Sequence, residues 1–189
     1  PSPSPSPEPD PEPATVVMWA RGGLPVEVAS HARALPGVLA AVHVRSDTLG
    51  LVGSRDAQGT PVDTLDPGWR IPVEVVAVDP ALADALPEGE TRDAVAALRP
   101  GEALLTRSAA SLRGIGEGGE IDLAGRPGLR VVAVVPDGDL GRDEVVVHTA
   151  DADAVGLEPT GSLRVVHDGS DGAALAAGLQ ALAPEDTAV

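Results

Sequence analysis

The chain has 189 residues and a formal charge of −16, from 29 acidic and 13 basic residues, every basic one an Arg. That length fits one ordinary domain with tails, and a pI near 4.4 argues against binding to nucleic acid or anionic lipid, where affinity comes from Lys and Arg. No run of about 18 apolar residues occurs, so nothing is expected to span a membrane, and the lack of Cys removes disulfides, thiolate catalysis and Cys-ligated zinc.

Pro1–Pro13 reads PSPSPSPEPDPEP. Alternate Pro residues block helix and ladder alike, which predicts a polyproline-II or disordered spacer. At about 3.1 Å per residue it reaches on the order of 40 Å. A start inside such a spacer, without Met, leads to the expectation of a removed signal peptide or membrane anchor upstream. Residues 14–189 are then expected to form a single α+β domain, truncated at its last strand.

Thr15–Ala20 is a short apolar strand. Pro25–Leu35 has helical spacing with Pro25 in its first turn. Val38–Arg45 and Thr48–Ser54 read as two strands, and Ile71–Val78 as a further one. Asp79 caps a short helix over Pro80–Leu86, and Thr91–Leu98 is another. Glu102–Thr106 is a strand, and Ser108–Arg113 one or two helical turns ending at Gly114. Glu120–Leu123, Leu129–Val135 and Glu144–His148 are strands divided by Gly-rich turns. Ala150–Val155 is a short helix, Ser162–His167 a strand and Gly172–Leu182 the last helix. Thr187–Val189 resembles the opening of a final strand. Strands outnumber the short, single helices, so the fold class is α+β with a mixed sheet.

The helices Pro25–Leu35 and Gly172–Leu182 are expected to bury Leu24, Val28, Ala32 and Leu35, and Leu175, Leu179 and Leu182. In the strand Ile71–Val78, Glu74 marks the wet face, so Ile71, Val73 and Val75 point inward. Pro72 lacks a ladder donor and places the strand's start at an edge or bulge. The aromatic residues are Trp19 and Trp69. In a core of Ala, Val and Leu both are expected as buried anchors, with Trp69→Ala costing about 3–5 kcal/mol.

The chemistry-bearing residues are sparse. His31, His43, His148 and His167 form no zinc spacing. His148, Asp151 and Asp153 lie close in sequence, but Asp151 is better placed to cap the helix over Ala150–Val155. Pro136–Glu144 holds Asp137, Asp139, Asp143 and Glu144; this acidic loop opens like a calcium loop but lacks its later ligands. Gly114–Gly119 (GIGEGG) precedes a strand, so no helix N-terminus is there for a pyrophosphate. Ser54, Ser108 and Ser111 lack a nucleophile-elbow context. No catalytic, cofactor-binding or metal residue is assigned.

Several segments carry a resemblance. Leu35–Val38 (LPGV), Val75–Pro80 (VVAVDP), Gly101–Ala110 (GEALLTRSAA), Leu112–Gly119 and Val131–Val135 together resemble the extracytoplasmic core domain of bacterial permeases of the MacB and FtsX type. Arg70–Pro80, Leu98–Leu105 and Ser108–Gly119 are also similar to a domain that precedes the enzyme in actinobacterial M15-type, D-alanyl-D-alanine carboxypeptidase-like metallopeptidases. Arg in place of Lys, with much Ala, Gly and Pro, agrees with a high-GC, actinobacterial source. The peptidase's zinc pattern, S-x-H-x-x-G-x-A-x-D with a later H-x-E or H-x-H, is absent, so no catalytic residue carries over. The resemblance implies a non-catalytic extracytoplasmic accessory domain of a cell-envelope protein, detached from an M15-type peptidase. Its partner would be a neighbouring domain or an envelope protein. The alternative it implies is the periplasmic coupling domain of an ABC-transporter permease.

Overall fold

In the computed structural model, residues 14–20, 23–25, 27–138, 143–158, 161–169, 171–182 and 187–188 are described. The Pro-rich segment 1–13 and Asp139 of the acidic loop lie outside them.

β1 is Ala14–Ala20 and α1 is Glu27–Arg33. The two strands expected next are one: β2 runs unbroken over Val38–Arg55. Asp47 and Thr48 do not turn the chain; they pair with Val75 and Glu74. The Thr48 hydroxyl donates to Glu74 Oε1 at 2.7 Å, so this polar pair marks a wet face. The turn comes later, where Asp56 Oδ1 accepts from the amides of Gln58 and Thr60. A four-residue strand absent from the sequence reading, β3 (Pro61–Thr64), follows.

β4 is Ile71–Val78. Asp79 caps a 3-10 turn, Pro80–Ala85, by accepting from the Ala81 amide. α2 is Glu90–Ala97 and β5 is Glu102–Thr106. α3, Arg107–Arg113, starts on the Thr106 hydroxyl and stops at Gly114, whose φ of 61° suits Gly. β6 (Glu120–Leu123), β7 (Arg126–Val135) and β8 (Val145–His148) complete the middle of the chain. A 3-10 turn, Thr149–Asp151, leads into α4 (Ala152–Val155). β9 (Ser162–His167), α5 (Gly172–Leu182) and β10 (Thr187–Ala188) end the chain.

The pairing defines two lobes that share β2. In the first, the strand order is β10-β1-β9-β2, all antiparallel. With α1 between β1 and β2 and α5 between β9 and β10, this is a split βαββαβ unit. α1 and α5 lie on one face over Met18, Val28, Ala29, Ala32, Ala41, Leu163, Val165, Leu175 and Leu179. Leu24, Leu35 and Leu182 close the rim of that core, as their helical spacing predicts.

The second lobe is inserted between β2 and β9. Its order is β2-β4-β8-β5-β7-β6, and β6 returns to pair with β2. The sheet thus closes into a six-stranded barrel, which removes free edges from these strands. β4–β8 and β5–β7 are parallel; the other pairs are antiparallel. Inside lie Leu51, Val73, Val75, Leu105, Ile121, Leu123, Leu129 and Val147, with Ile71 partly buried. Pro72 is tolerated because β8 meets β4 only from Val75 onward, leaving that flank open. On the outside, the 3-10 turn after β4 and α2 pack Leu82, Ala83, Val95 and Leu98 over Val76, Val78, Leu104 and Val146, and reach Val42 and Val44 on β2. This layer joins the lobes. The fold is α+β with a mixed sheet, as expected.

Candidate functional site

The suggested metal ligands separate. His148 Nδ1 accepts from the Ala150 amide and caps the 3-10 turn. Asp151 does not cap α4 through its side chain. Buried instead, it accepts from the Gly101 amide at 2.6 Å and faces Arg126 at 3.2 Å. Asp153 pairs with Arg45 at 2.7 Å. Arg45 also reaches the carbonyls of Leu157 and Glu158, tying the segment after α4 to β2.

The acidic loop separates as well. Asp137 accepts from both the amide and the hydroxyl of Ser108, at 3.0 and 2.9 Å. These bonds, the amide's first, hold its carboxyl below the usual range. Glu144 joins β4, with its carboxylate on the Glu74 amide and its own amide on the Glu74 carbonyl. Asp143 turns to Arg164 on β9, 3.8 Å away. Among the described residues no group of three or more His, Asp or Glu is placed to hold a metal.

The remaining candidates serve the backbone. In Gly114–Gly119 the Gly118 amide donates to Val131, and Gly119 exchanges with Val131 and Gly116. Ser54 exchanges hydrogen bonds with Asp63. His167 Nδ1 accepts from the Gly169 amide, beside a cavity of about 180 Å³ lined also by Leu35, Gly37, Asp168 and Asp171. Asp171 caps α5 by accepting from Ala174. His43 Nε2 is buried without a partner. It shares the helix-facing side of β2 with Ala41 and lies opposite Leu163.

Both Trp residues contradict the expectation of buried anchors. β1 points Val16, Met18 and Ala20 at the helices, so Met18 fills that core and Trp19 stands on the opposite face, 56% exposed. Trp69 is 71% exposed. It ends the turn Asp66–Trp69, closed by the Trp69 amide on the Asp66 carbonyl, with Gly68 at φ 91°. Asp-Pro-Gly is the composition of a tight turn with a left-handed third residue, and that signal could have placed Trp69 at the surface.

Trp69 has exposed apolar neighbours that sequence reasoning missed. Val52, Val62 and Leu112 are also open to solvent, Leu112 at 78%. Arg113 lies 4.0 Å from Asp63, which brings the end of α3 beside β3. This is the end of the barrel reached by the last residues of β2. Ala14 and Val38 both pair with His167, so β1 begins level with the start of β2. From Val38 to Leu51 the strand covers roughly 40 Å at about 3.3 Å per residue. The arrangement offers a surface for contact, not a constellation for bond-making.

No protein-family model matches the sequence, and no curated protein does. Solved structures do match. The periplasmic region of MacB from Actinobacillus actinomycetemcomitans aligns with a TM-score of 0.57 and 15% identity, over 92% of this chain and 86% of that one. The extracellular domain of the noncanonic ABC-type transporter YknZ from Gram-positive bacteria aligns with a TM-score of 0.54 and 13% identity, over 92% of this chain and 98% of that one. The chain has the fold of these transporter domains, which agrees with the MacB-like resemblance of its sequence.

Proposed function

We propose that this chain is the extracytoplasmic domain of an ABC-transporter permease, a non-catalytic module that couples the transporter to another component of the cell envelope. The observation that carries this reading is the extent of the likeness. A βαββαβ lobe with a barrel inserted before its third strand is matched over 92% of the chain by two transporter domains. The path of the chain supports it. β1 and β10 are adjacent and antiparallel, so the chain arrives and departs along one side of the lobe, as an insertion into a larger protein does. Among the described residues no helix is long and apolar enough to cross a membrane; in this reading the membrane-spanning parts belong elsewhere in the protein. Residues 14–189 act as one unit, with 1–13 as a spacer.

The second reading, an accessory domain of an M15-type peptidase, rests on the sequence resemblance over Arg70–Pro80 and the segments after it. It has less support, because both structural neighbours described above are transporter domains.

The absence of Cys makes the test direct. Leu112→Cys places a thiol on the exposed end of the barrel. In intact cells making the full-length protein, this thiol should react with a membrane-impermeant maleimide. Labelling only after lysis would overturn the extracytoplasmic assignment.

A further inference from the structure

The β7–β8 connection meets the first lobe at Arg164. Arg164 lies on the face of β9 opposite α1 and α5, between Val17 on β1 and Val42 on β2. Asp143 reaches it at 3.8 Å, and both side chains are mostly out of water, at 14% and 17% exposure. Asp143 belongs to the barrel, because the next residue, Glu144, is bonded through its amide and carboxylate to β4 and through its carbonyl to the Thr106 amide. The pair therefore bridges the lobes. The bridge is crowded with negative charge. Glu74 on β4 acts on Asp143 as a like charge and is itself held toward β2 by the Thr48 hydroxyl; Glu144 is adjacent in the chain.

We propose that Asp143, Arg164 and Glu74 form a latch between the barrel and the βαββαβ lobe that tightens as the pH falls. Closing it removes Asp143 from water beside a second carboxylate, which disfavours the ionised form more than Arg164 favours it. Burial first, and Glu74 after it, raise the Asp143 carboxyl above its ordinary value against the pull of Arg164. The sign follows by linkage. The closed state binds the proton more tightly than an open state with Asp143 in water. Closure is therefore favoured fully below the ordinary carboxylate range, and the gain is lost as pH rises through the raised value. The Arg45 attachment to Asp153, Leu157 and Glu158 stays in place, so opening frees the β7–β8 connection without separating the lobes.

The test is hydrogen exchange of the peptide around 143–148 from mildly alkaline to mildly acidic pH, corrected for the intrinsic rate. In the wild-type domain, protection should rise as pH falls. In Asp143→Asn that pH dependence should be lost. Glu74→Gln, which keeps the acceptor for Thr48, should remain pH-dependent with its midpoint moved to lower pH. It decides the matter if the Asn variant fails to fold. A flat wild-type profile, an Asn variant with the wild-type slope, or an unmoved midpoint in Glu74→Gln would each overturn the latch.

Discussion

Gly50 leaves the space in which the Arg70 side chain lies. A Cβ on Gly50 would stand 2.6 Å from Arg70 Cδ and 3.0 Å from its Cβ, so the first methylenes of Arg70 cross the β2–β4 ribbon where residue 50 has no side chain. Gly50→Ala would push Arg70 aside, at a cost of about 1 kcal/mol by analogy with mild overpacking. Arg70→Ala should relieve the clash. Urea melts of the two single variants and the double variant form the cycle that isolates this coupling. Additive single effects would show that Arg70 moves away freely.

Trp69→Ala should change stability by no more than about 0.5 kcal/mol, the usual range for a surface substitution, because the indole is 71% exposed. This reverses the consequence expected of a buried ring. A thermal melt decides it: a midpoint several degrees lower would mean that the ring packs against the domain.

Asp151 should matter more than any suggested catalytic residue. Its carboxylate is buried, on the Gly101 amide and beside Arg126. Hydrogen bonds to charged groups contribute about 1.5–3 kcal/mol each, so Asp151→Ala should cost about 2–3 kcal/mol in urea melts. Asp151→Asn keeps an acceptor for Gly101 and should cost less. Equal losses in the two variants would show that the ion pair with Arg126, and not the Gly101 bond, provides the stabilisation.

The start of α3 should depend on pH in the opposite sense to the latch. The Ser108 amide, then its hydroxyl, keep the Asp137 carboxyl below its model-peptide value of 3.8. A depressed carboxyl supports the folded state above the ordinary range and loses that support as pH falls through the depressed value. Amide exchange at the start of α3 should therefore increase in acid, and Asp137→Asn should remove the acid-dependent part. An unchanged acid response in that variant would show that α3 starts independently of Asp137.

Local pattern made much of the fold legible. β4, β5, β6, β9 and α5 have the bounds read from the sequence, because each is a short apolar run between turn residues or a helical stripe behind an Asp cap. The errors have physical causes. Asp47 and Thr48 look like a turn, yet two neighbouring strands can carry polar residues on a wet face without breaking. Trp19 was assigned by size, when the parity of β1 gives the inward place to Met18. Closure of the barrel through β2 and β6 joins Leu51 to Leu123, a pairing that no local pattern encodes. The same holds for the bridge from Asp143 to Arg164. The absence of a catalytic constellation was read from missing spacings, whereas the exposed end around Trp69, Val62 and Leu112 exists only once α3 and β3 are brought together.

The central claim is that this fold serves a transporter, and isolation of the full-length natural protein tests it most directly. Solubilised from membranes with mild detergent, it should purify as a membrane-spanning polypeptide together with an ATP-hydrolysing subunit. Deletion of residues 14–189 should abolish transport coupling while leaving the membrane part inserted. A full-length protein without membrane spans that carries a zinc-peptidase segment and D,D-carboxypeptidase turnover would contradict the account.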